Sequence, residues 1–401
     1  MKYLISYSLF FIYLSLSASE SLTYTIVDTA QTTAFDTRRS INQTSPGDRY
    51  YGQDANYLGN APSYRDNGDG TISDQVTGLM WIQDPGEKKT FAEAVKGADK
   101  CRVGGYDDWR LPTIKELYSL IQFSGTDPDP RSSDTSALIP FINKVFAFEY
   151  GDPAKNERVI DSQFASSTQY VSTTMQGNET MFGVNFADGR IKGYPIETRR
   201  GEGRFYVLYV RENPDYGVNR FEDNGDGTVT DHATGLTWTK ADSGEGMDWP
   251  SALEYAEELE FAGQDDWRLP NAKELQSILD YSRSPDTTDS AAIDPIFDAT
   301  MIRNEGGDED YAFYWTGTSH KSGRGAAAAV EICFGRALGF MKSRQSGEYQ
   351  LLDVHGAGAQ RSSPKVGDAS KYPHGRGPQG DVIRIENLVR CVRGGDVYPA
   401  E

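Results

Sequence analysis

Two tandem domains of the α+β class are what this sequence predicts, and three observations carry the prediction. Two blocks of residues occur twice at the separation of a whole domain. Each copy holds two helical patterns, and each ends in strand-like runs. Residues 65–81 (RDNGDGTISDQVTGLMW) and 222–238 (EDNGDGTVTDHATGLTW) agree at 11 of 17 positions at an offset of 157. Residues 105–121 (GYDDWRLPTIKELYSLI) and 263–279 (GQDDWRLPNAKELQSIL) also agree at 11 of 17, at an offset of 158. The change of offset by one marks a single-residue insertion or deletion between the blocks. A period this long is a duplicated domain, because solenoid repeats run about 20–50 residues.

The elements follow from local chemistry. In Asp66-Asn67-Gly68-Asp69-Gly70-Thr71, Asn-Gly and Asp-Gly supply the positive φ angles of a tight hairpin, so residues 71–74 read as a short strand. A second turn at Thr77-Gly78 leads to Leu79-Met80-Trp81, with the tryptophan as a core anchor. Residues 90–100 and 250–261 read as the first helix of each copy, with Leu253, Ala256 and Leu259 at helical spacing. Thr113 with Glu116, and Asn271 with Glu274, form capping-box patterns that open the second helix of each copy. Asp-Asp-Trp-Arg-Leu-Pro just ahead of that helix reads as structural, with Trp in the core and Arg paired to a carboxylate. Strand-like runs follow at 169–174, 181–187 and 205–211 in copy one, and at 311–318, 329–334 and 382–393 in copy two.

The N-terminus has Lys2, an apolar run over residues 3–18 and Ser17-Ala18-Ser19, the layout of a secretory leader cleaved near residue 19. The run is short against the roughly 20 residues that span a bilayer, and no later stretch is apolar enough to do so. An exported chain without membrane insertion is expected. It divides into a leader (1–19), an N-terminal extension (20–49), copy one (50–212) and copy two (213–401). The formal charge is −19, and losing Lys2 with the leader makes it −20. Such a surface repels nucleic acid and other polyanions. Three cysteines, Cys101, Cys333 and Cys391, allow at most one disulfide, for which Cys333 with Cys391 is the first choice.

DNGDGT, TGLMW, DDWRLP with KEL, and the closing Arg390-Cys391-Val392-Arg393 together resemble the C-terminal domain of the Legionella collagen-like adhesin. The likeness covers about residues 50–212 and 213–401. It implies a C-type-lectin-like fold, related also to formylglycine-generating enzymes, with a small antiparallel sheet, two helices and long ligand-bearing loops. The best-described member of that family binds sulfated glycosaminoglycans; this chain lacks the basic surface that such polyanions require. Its cysteines also depart from the family pattern. Copy one has Cys101 on the first helix but Tyr209 in the closing strand, and copy two has Cys391 but Leu259 on the helix. The family's helix-to-strand bridge therefore cannot form within either copy, which leaves Cys333 with Cys391 or Cys101 reaching across the copies.

Candidate sites were weighed by residue type and spacing. The Asp/Asn/Gly blocks at 66–74 and 223–231 invite calcium, but their spacing favours a hairpin turn. Acidic loops hold Asp127, Asp129 and Asp134 in copy one, and Asp286, Asp289, Asp308 and Asp310 in copy two. The second set is the candidate calcium site, against the alternative of solvated loop carboxylates. Copy two alone carries an insertion over about 343–380. In and just after it lie Asp353, His355, Gln360, Arg361, His374, Arg376, Gln379 and Asp381, among glycines that let backbone approach a ligand. They are the candidate binding residues, against a plain glycine-rich excursion. No G-x-S-x-G, H-E-x-x-H or phosphate loop occurs, and four histidines leave few general bases. The expected function is a secreted or cell-surface module that binds a glycan or protein through copy two. The alternatives are a metal-assisted hydrolase or oxidase built on His355 and His374, and a purely structural envelope protein.

Overall fold

The computed structural model describes residues 22–199, 201–343 and 345–400; the expected leader lies outside the described residues. Each copy opens on a three-stranded antiparallel unit. In copy one Tyr64–Asp66, Thr71–Asp74 and Met80–Ile82 pair in sequence, and Val210–Arg211 closes the edge. In copy two the same places are taken by Phe221–Asp223, Thr228–Asp231, Leu236–Thr239 and Val392–Gly394. The turns are hairpins: Asp69 and Asp226 each accept from the amide and hydroxyl of the threonine two residues on, and Asn67 and Asn224 each donate to two hydroxyls of the next strand. Side chains that bind their own backbone in this way stabilise a turn without any cation.

The helices follow at Phe91–Ala98 (α1), Ile114–Ser119 (α2), Trp249–Glu257 (α3) and Ala272–Ser277 (α4). Thr113 with Glu116 and Asn271 with Glu274 make complete capping boxes. Each cap glutamate also takes both guanidinium nitrogens of the arginine in the preceding motif, Arg110 or Arg268, at 2.5–2.7 Å. Trp109 and Trp267 are buried, and each indole N–H donates 3.1 Å to a carbonyl six residues earlier.

The late strands correct the expectation of two separate small sheets. Gln163–Gln169 (β1), Thr180–Asn185 (β2) and Arg190–Pro195 (β3) of copy one join Phe313–Ser322 (β4), Gly325–Cys333 (β5) and Gln360–Pro364 (β6) of copy two. They form one six-stranded sheet in the order β4-β5-β6-β3-β2-β1. The joint is the antiparallel pairing of Gln360 with Ile191. Residues 183–190 (GVNFADGR) align with 329–336 (AVEICFGR), so Leu338–Lys342 is the sequence counterpart of β3. It leaves the sheet to pair with Tyr349–Asp353, and β6, from the insertion, takes its place beside β5. The insertion is therefore a hairpin arm and a central strand, not an irregular excursion. The strand expected at 169–174 lies earlier, at β1, whose QFASSTQ sequence hides its burial: Ser166 is buried because its hydroxyl donates 2.6 Å to the Phe182 carbonyl. Of residues 205–211 and 382–393 only the ends pair as strands, although 205–210 are buried throughout.

Two further features fuse the copies. Lys115 of α2 donates to the carbonyl of Ser277 at the end of α4 (2.6 Å), and Lys273 of α4 donates to that of Ser119 at the end of α2 (2.8 Å). These equivalent lysines of the repeated motif thus satisfy each other's helix ends, where carbonyls lack partners. The N-terminal extension is a strap: Gln31 exchanges two 2.7 Å hydrogen bonds with the backbone of Ser319 while its amide also reaches Phe123 at 3.4 Å, and the Arg38 carbonyl accepts from Ala326.

The disulfide expectation is also corrected. All three cysteines are free. Cys333 sits with Phe313, Ala337 and Ala359, whereas Cys391 lies in a different apolar cluster around Trp249 and Trp315. Leu259 packs against that second cluster. In copy one the Tyr209 hydroxyl instead donates 2.8 Å to Ala94 in α1. Cys101 lies three residues past the end of α1, and not on that helix as expected, and Leu259 likewise lies past α3.

Candidate functional site

A cleft of about 480 Å³ lies over the joint of the six-stranded sheet. Its volume is that of a small-ligand site. Copy one supplies part of the floor through the segment Asp188-Gly189-Arg190-Ile191-Lys192-Gly193-Tyr194. After the turn at Gly189 (φ 67°), strand alternation puts Arg190, Lys192 and Tyr194 on the cleft face and buries Ile191 behind them. Copy two supplies Glu331 from β5 and Arg361 from β6. Tyr372, Arg376, Gln379 and Asp381 from the chain beyond β6 close over one side.

The floor is a network of paired charges. Lys192 donates 2.5 Å to Asp188. Arg190 donates 2.9 Å to Asp127 and to the Ser362 hydroxyl, which ties the two copies' strands together across the joint. Arg361 is ion-paired with Asp381, whose other oxygen is 3.0 Å from His355 Nε2. Burial pushes the Asp381 carboxyl up, but Arg361 and His355 outweigh it and hold the group well below the usual carboxylate range. Burial, helped by Arg361, lowers His355 to about 4, so a neutral imidazole donates to Asp381 at neutral pH. Glu331 accepts from Ser363 and Asn387 at 2.8 Å each, and burial raises it to about 7. His320 donates its Nε2–H to the Asp188 carbonyl (3.0 Å), stacks on Phe141 and is kept neutral by burial.

The eight candidate residues of copy two separate into three groups. Arg361, Arg376, Gln379 and Asp381 line the cleft, and His355 supports Asp381 from behind. Asp353 and Gln360 act elsewhere. Asp353 accepts from the Tyr170 hydroxyl (3.0 Å) and the Gly356 amide (2.8 Å), anchoring the arm to copy one, while Gln360 is buried at the joint. His374 lies out on the arm, stacked 3.8 Å from the Tyr349 ring. It shares no contact with His355, so the structure does not assemble the histidine pair that a hydrolase or oxidase would use.

The four acidic residues weighed for calcium are not brought together around a cavity. Asp286 accepts from Arg336 at 2.7 and 2.8 Å, Asp310 accepts from the amides of Tyr311 and Arg336, and Asp289 and Asp308 are exposed. An arginine occupies the place between Asp286 and Asp310. Among the described residues no group of three or more His, Cys, Asp or Glu side chains is placed to hold a metal ion. The counterpart in copy one behaves alike, with Arg190 on Asp127.

Residues that sequence reading passed over are Asp188, Arg190, Lys192, Tyr194, His320 and Glu331. The R-I-K-G-Y alternation after an Asp-Gly turn was a usable signal for the first four. Nothing local marks Glu331 or His320, which the sheet alone delivers to the cleft.

The same segments bear on kinship. The model of the Lcl C-terminal domain family matches residues 70–211 and again 227–351. The chain belongs to the Lcl C-terminal domain family. No curated protein and no solved structure matches it. As a tandem Lcl C-terminal domain chain it is α+β, built of several antiparallel sheets with four α-helices among the described residues. The second match ends at residue 351. The family sequence therefore includes Arg190, Lys192 and Glu331, while Arg361, Arg376, Gln379 and Asp381 come from sequence past it. No helix among the described residues is long and apolar enough to cross a membrane.

Proposed function

We propose that this chain is an exported, surface-exposed binding module that captures a glycan or protein ligand in the cleft between its two copies. The observation that carries the reading is the cleft itself, floored by strands of both copies and closed on one side by the copy-two insertion. Membership of an adhesin-type domain family supports it, as does the leader-like N-terminus. Each copy, with two helices beside an antiparallel sheet and long loops, we read as a C-type-lectin-like unit. The polar pairs of the floor serve recognition, where a small number of placed polar groups fixes ligand orientation.

The test is an array of glycans and extracellular proteins probed with the full chain and with Ala327→Trp. Ala327 is an exposed alanine on the cleft wall, so the indole fills the cavity without disturbing the ion pairs. Ligands bound by the native chain and lost in the variant support the reading. A full set of ligands retained by the variant refutes it.

A further inference from the structure

The cleft is rich in charges yet nearly neutral. Of the five cations that line it, Arg190, Lys192 and Arg361 are matched by Asp127, Asp188 and Asp381 of the lining and Arg158 by its neighbour Asp161, which leaves Arg376 as the single cation in excess. Most of these side chains are largely buried, Lys192 and Arg361 at 11% exposure and Asp188 at 3%. Beyond one group placed on the exposed Arg376, a polyanion that settled on this floor would have to separate an ion pair for each anionic group it placed. Each separation would leave a carboxylate unpaired in a water-poor site, which is strongly unfavourable. The −19 charge of the chain adds a long-range repulsion. A sugar hydroxyl faces neither obstacle. It donates to a carboxylate lone pair while accepting from a guanidinium or ammonium N–H, so it inserts along an existing pair and leaves both ions in place.

The rim agrees. Tyr372 is half-buried at the cleft edge; its hydroxyl accepts from Arg376 at 3.1 Å and the same guanidinium lies 4.9 Å from its ring, so the two form one aromatic and polar edge to the cleft. Gln163 and Gln379 add side-chain amides, which both donate and accept. Of the cations that line the cleft, Arg376 alone is shown with a phenol and not a carboxylate as its side-chain partner, and it stands exposed at the edge.

From this balance we infer that the cleft takes a short, uncharged oligosaccharide and not a sulfated or otherwise polyanionic chain. The inference rests on the reading that the cleft is the ligand site, and it names the ligand class for that site.

The experiment is calorimetric titration of the full chain with maltotriose, cellotriose and tri-N-acetylchitotriose, beside dextran sulfate, each at low and at physiological salt. One of the neutral trisaccharides is expected to bind with an affinity that salt does not move. Tyr372→Ala is expected to weaken it on the order of tenfold, and Ala327→Trp to abolish it. Dextran sulfate binding alone, suppressed by salt and lost in Ala327→Trp, would overturn the neutral ligand while keeping the cleft as the site. Binding of either class that Ala327→Trp leaves intact overturns both statements. If no probe binds, the neutral-oligosaccharide inference falls, and the array experiment decides the site by itself.

Discussion

Copy one and copy two carry the same Trp-Arg-Leu-Pro motif and the same arginine–glutamate pair, yet the pair stands in different surroundings. The Arg110 side chain is 33% exposed and that of Arg268 only 5%, while Glu116 and Glu274 are buried alike. The difference comes from outside the motif: the start of copy one lays the Tyr57 ring 5.4 Å from the Arg268 guanidinium, and among the described residues no ring covers Arg110 in that way. A second contrast lies on the cleft floor, where Asn185 of β2 and Glu331 of β5 hold equivalent positions. One is a neutral amide and the other a carboxyl held by Ser363 and Asn387. The repeat supplies matching frames, and residues outside it, Tyr57 at Arg268 and Ser363 with Asn387 at Glu331, give each frame its own dielectric and chemistry.

The largest test breaks the arginine comparison. Arg268→Met leaves Glu274 charged and buried without its partner, and should cost about 3–5 kcal/mol in denaturant unfolding. Arg110→Met, at a site water reaches, should cost about 1–2 kcal/mol. Equal losses would show that burial does not set the strength of the pair.

Next is the contrast between Glu331 and Asn185. Burial lifts the Glu331 carboxyl from 4.5 to about 7, so the folded chain keeps a proton that the unfolded chain releases between these values. Stability therefore falls as pH rises through this window, on the order of 3 kcal/mol from this group. Glu331→Gln, which makes copy two resemble copy one, should match the native chain below pH 4 and exceed it above pH 7. Parallel stability curves for the two proteins would contradict the assignment.

A smaller effect probes how the copies are joined. Lys115→Met and Lys273→Met each strand carbonyls at the opposite copy's helix end, at about 2 kcal/mol apiece. A chain that unfolds in one step natively should show two thermal steps in the double variant. Persistence of a single sharp transition would place the coupling in the shared sheet alone.

The smallest effect is a symmetry control. Asn67→Ala and Asn224→Ala each remove two hydroxyl hydrogen bonds of near-identical length from the opening hairpins. Each should cost about 1 kcal/mol, and neither should respond to calcium. A calcium-dependent melting shift lost in either variant would restore a metal to these turns.

Much of the local structure was legible because its causes are local. The Asn-Gly and Asp-Gly hairpins, the capping boxes at Thr113 and Asn271 and the buried tryptophans each depend on contacts within a few residues, so spacing alone announces them. The alternation that carries Arg190, Lys192 and Tyr194 is local too, but its significance is not. A period of two says which side chains share a face and is silent on what that face meets.

What the sequence determined by itself, then, is the duplication, the turns, the four helices and the family. Only the tertiary structure decided that the copies share one sheet, that Lys115 and Lys273 exchange helix ends, that Cys333 and Cys391 lie in separate clusters, and that the acidic loops of copy two close on Arg336. The physical reason is separation along the chain. These contacts span at least 26 residues and in several cases more than 150, and a pairing such as Gln360 with Ile191 carries no mark in either strand. The cleft is of the same kind: its floor comes from strands of both copies, joined by the Arg190–Ser362 hydrogen bond, and its closing side from the insertion in copy two, while the ion pairs that line it each form within one copy.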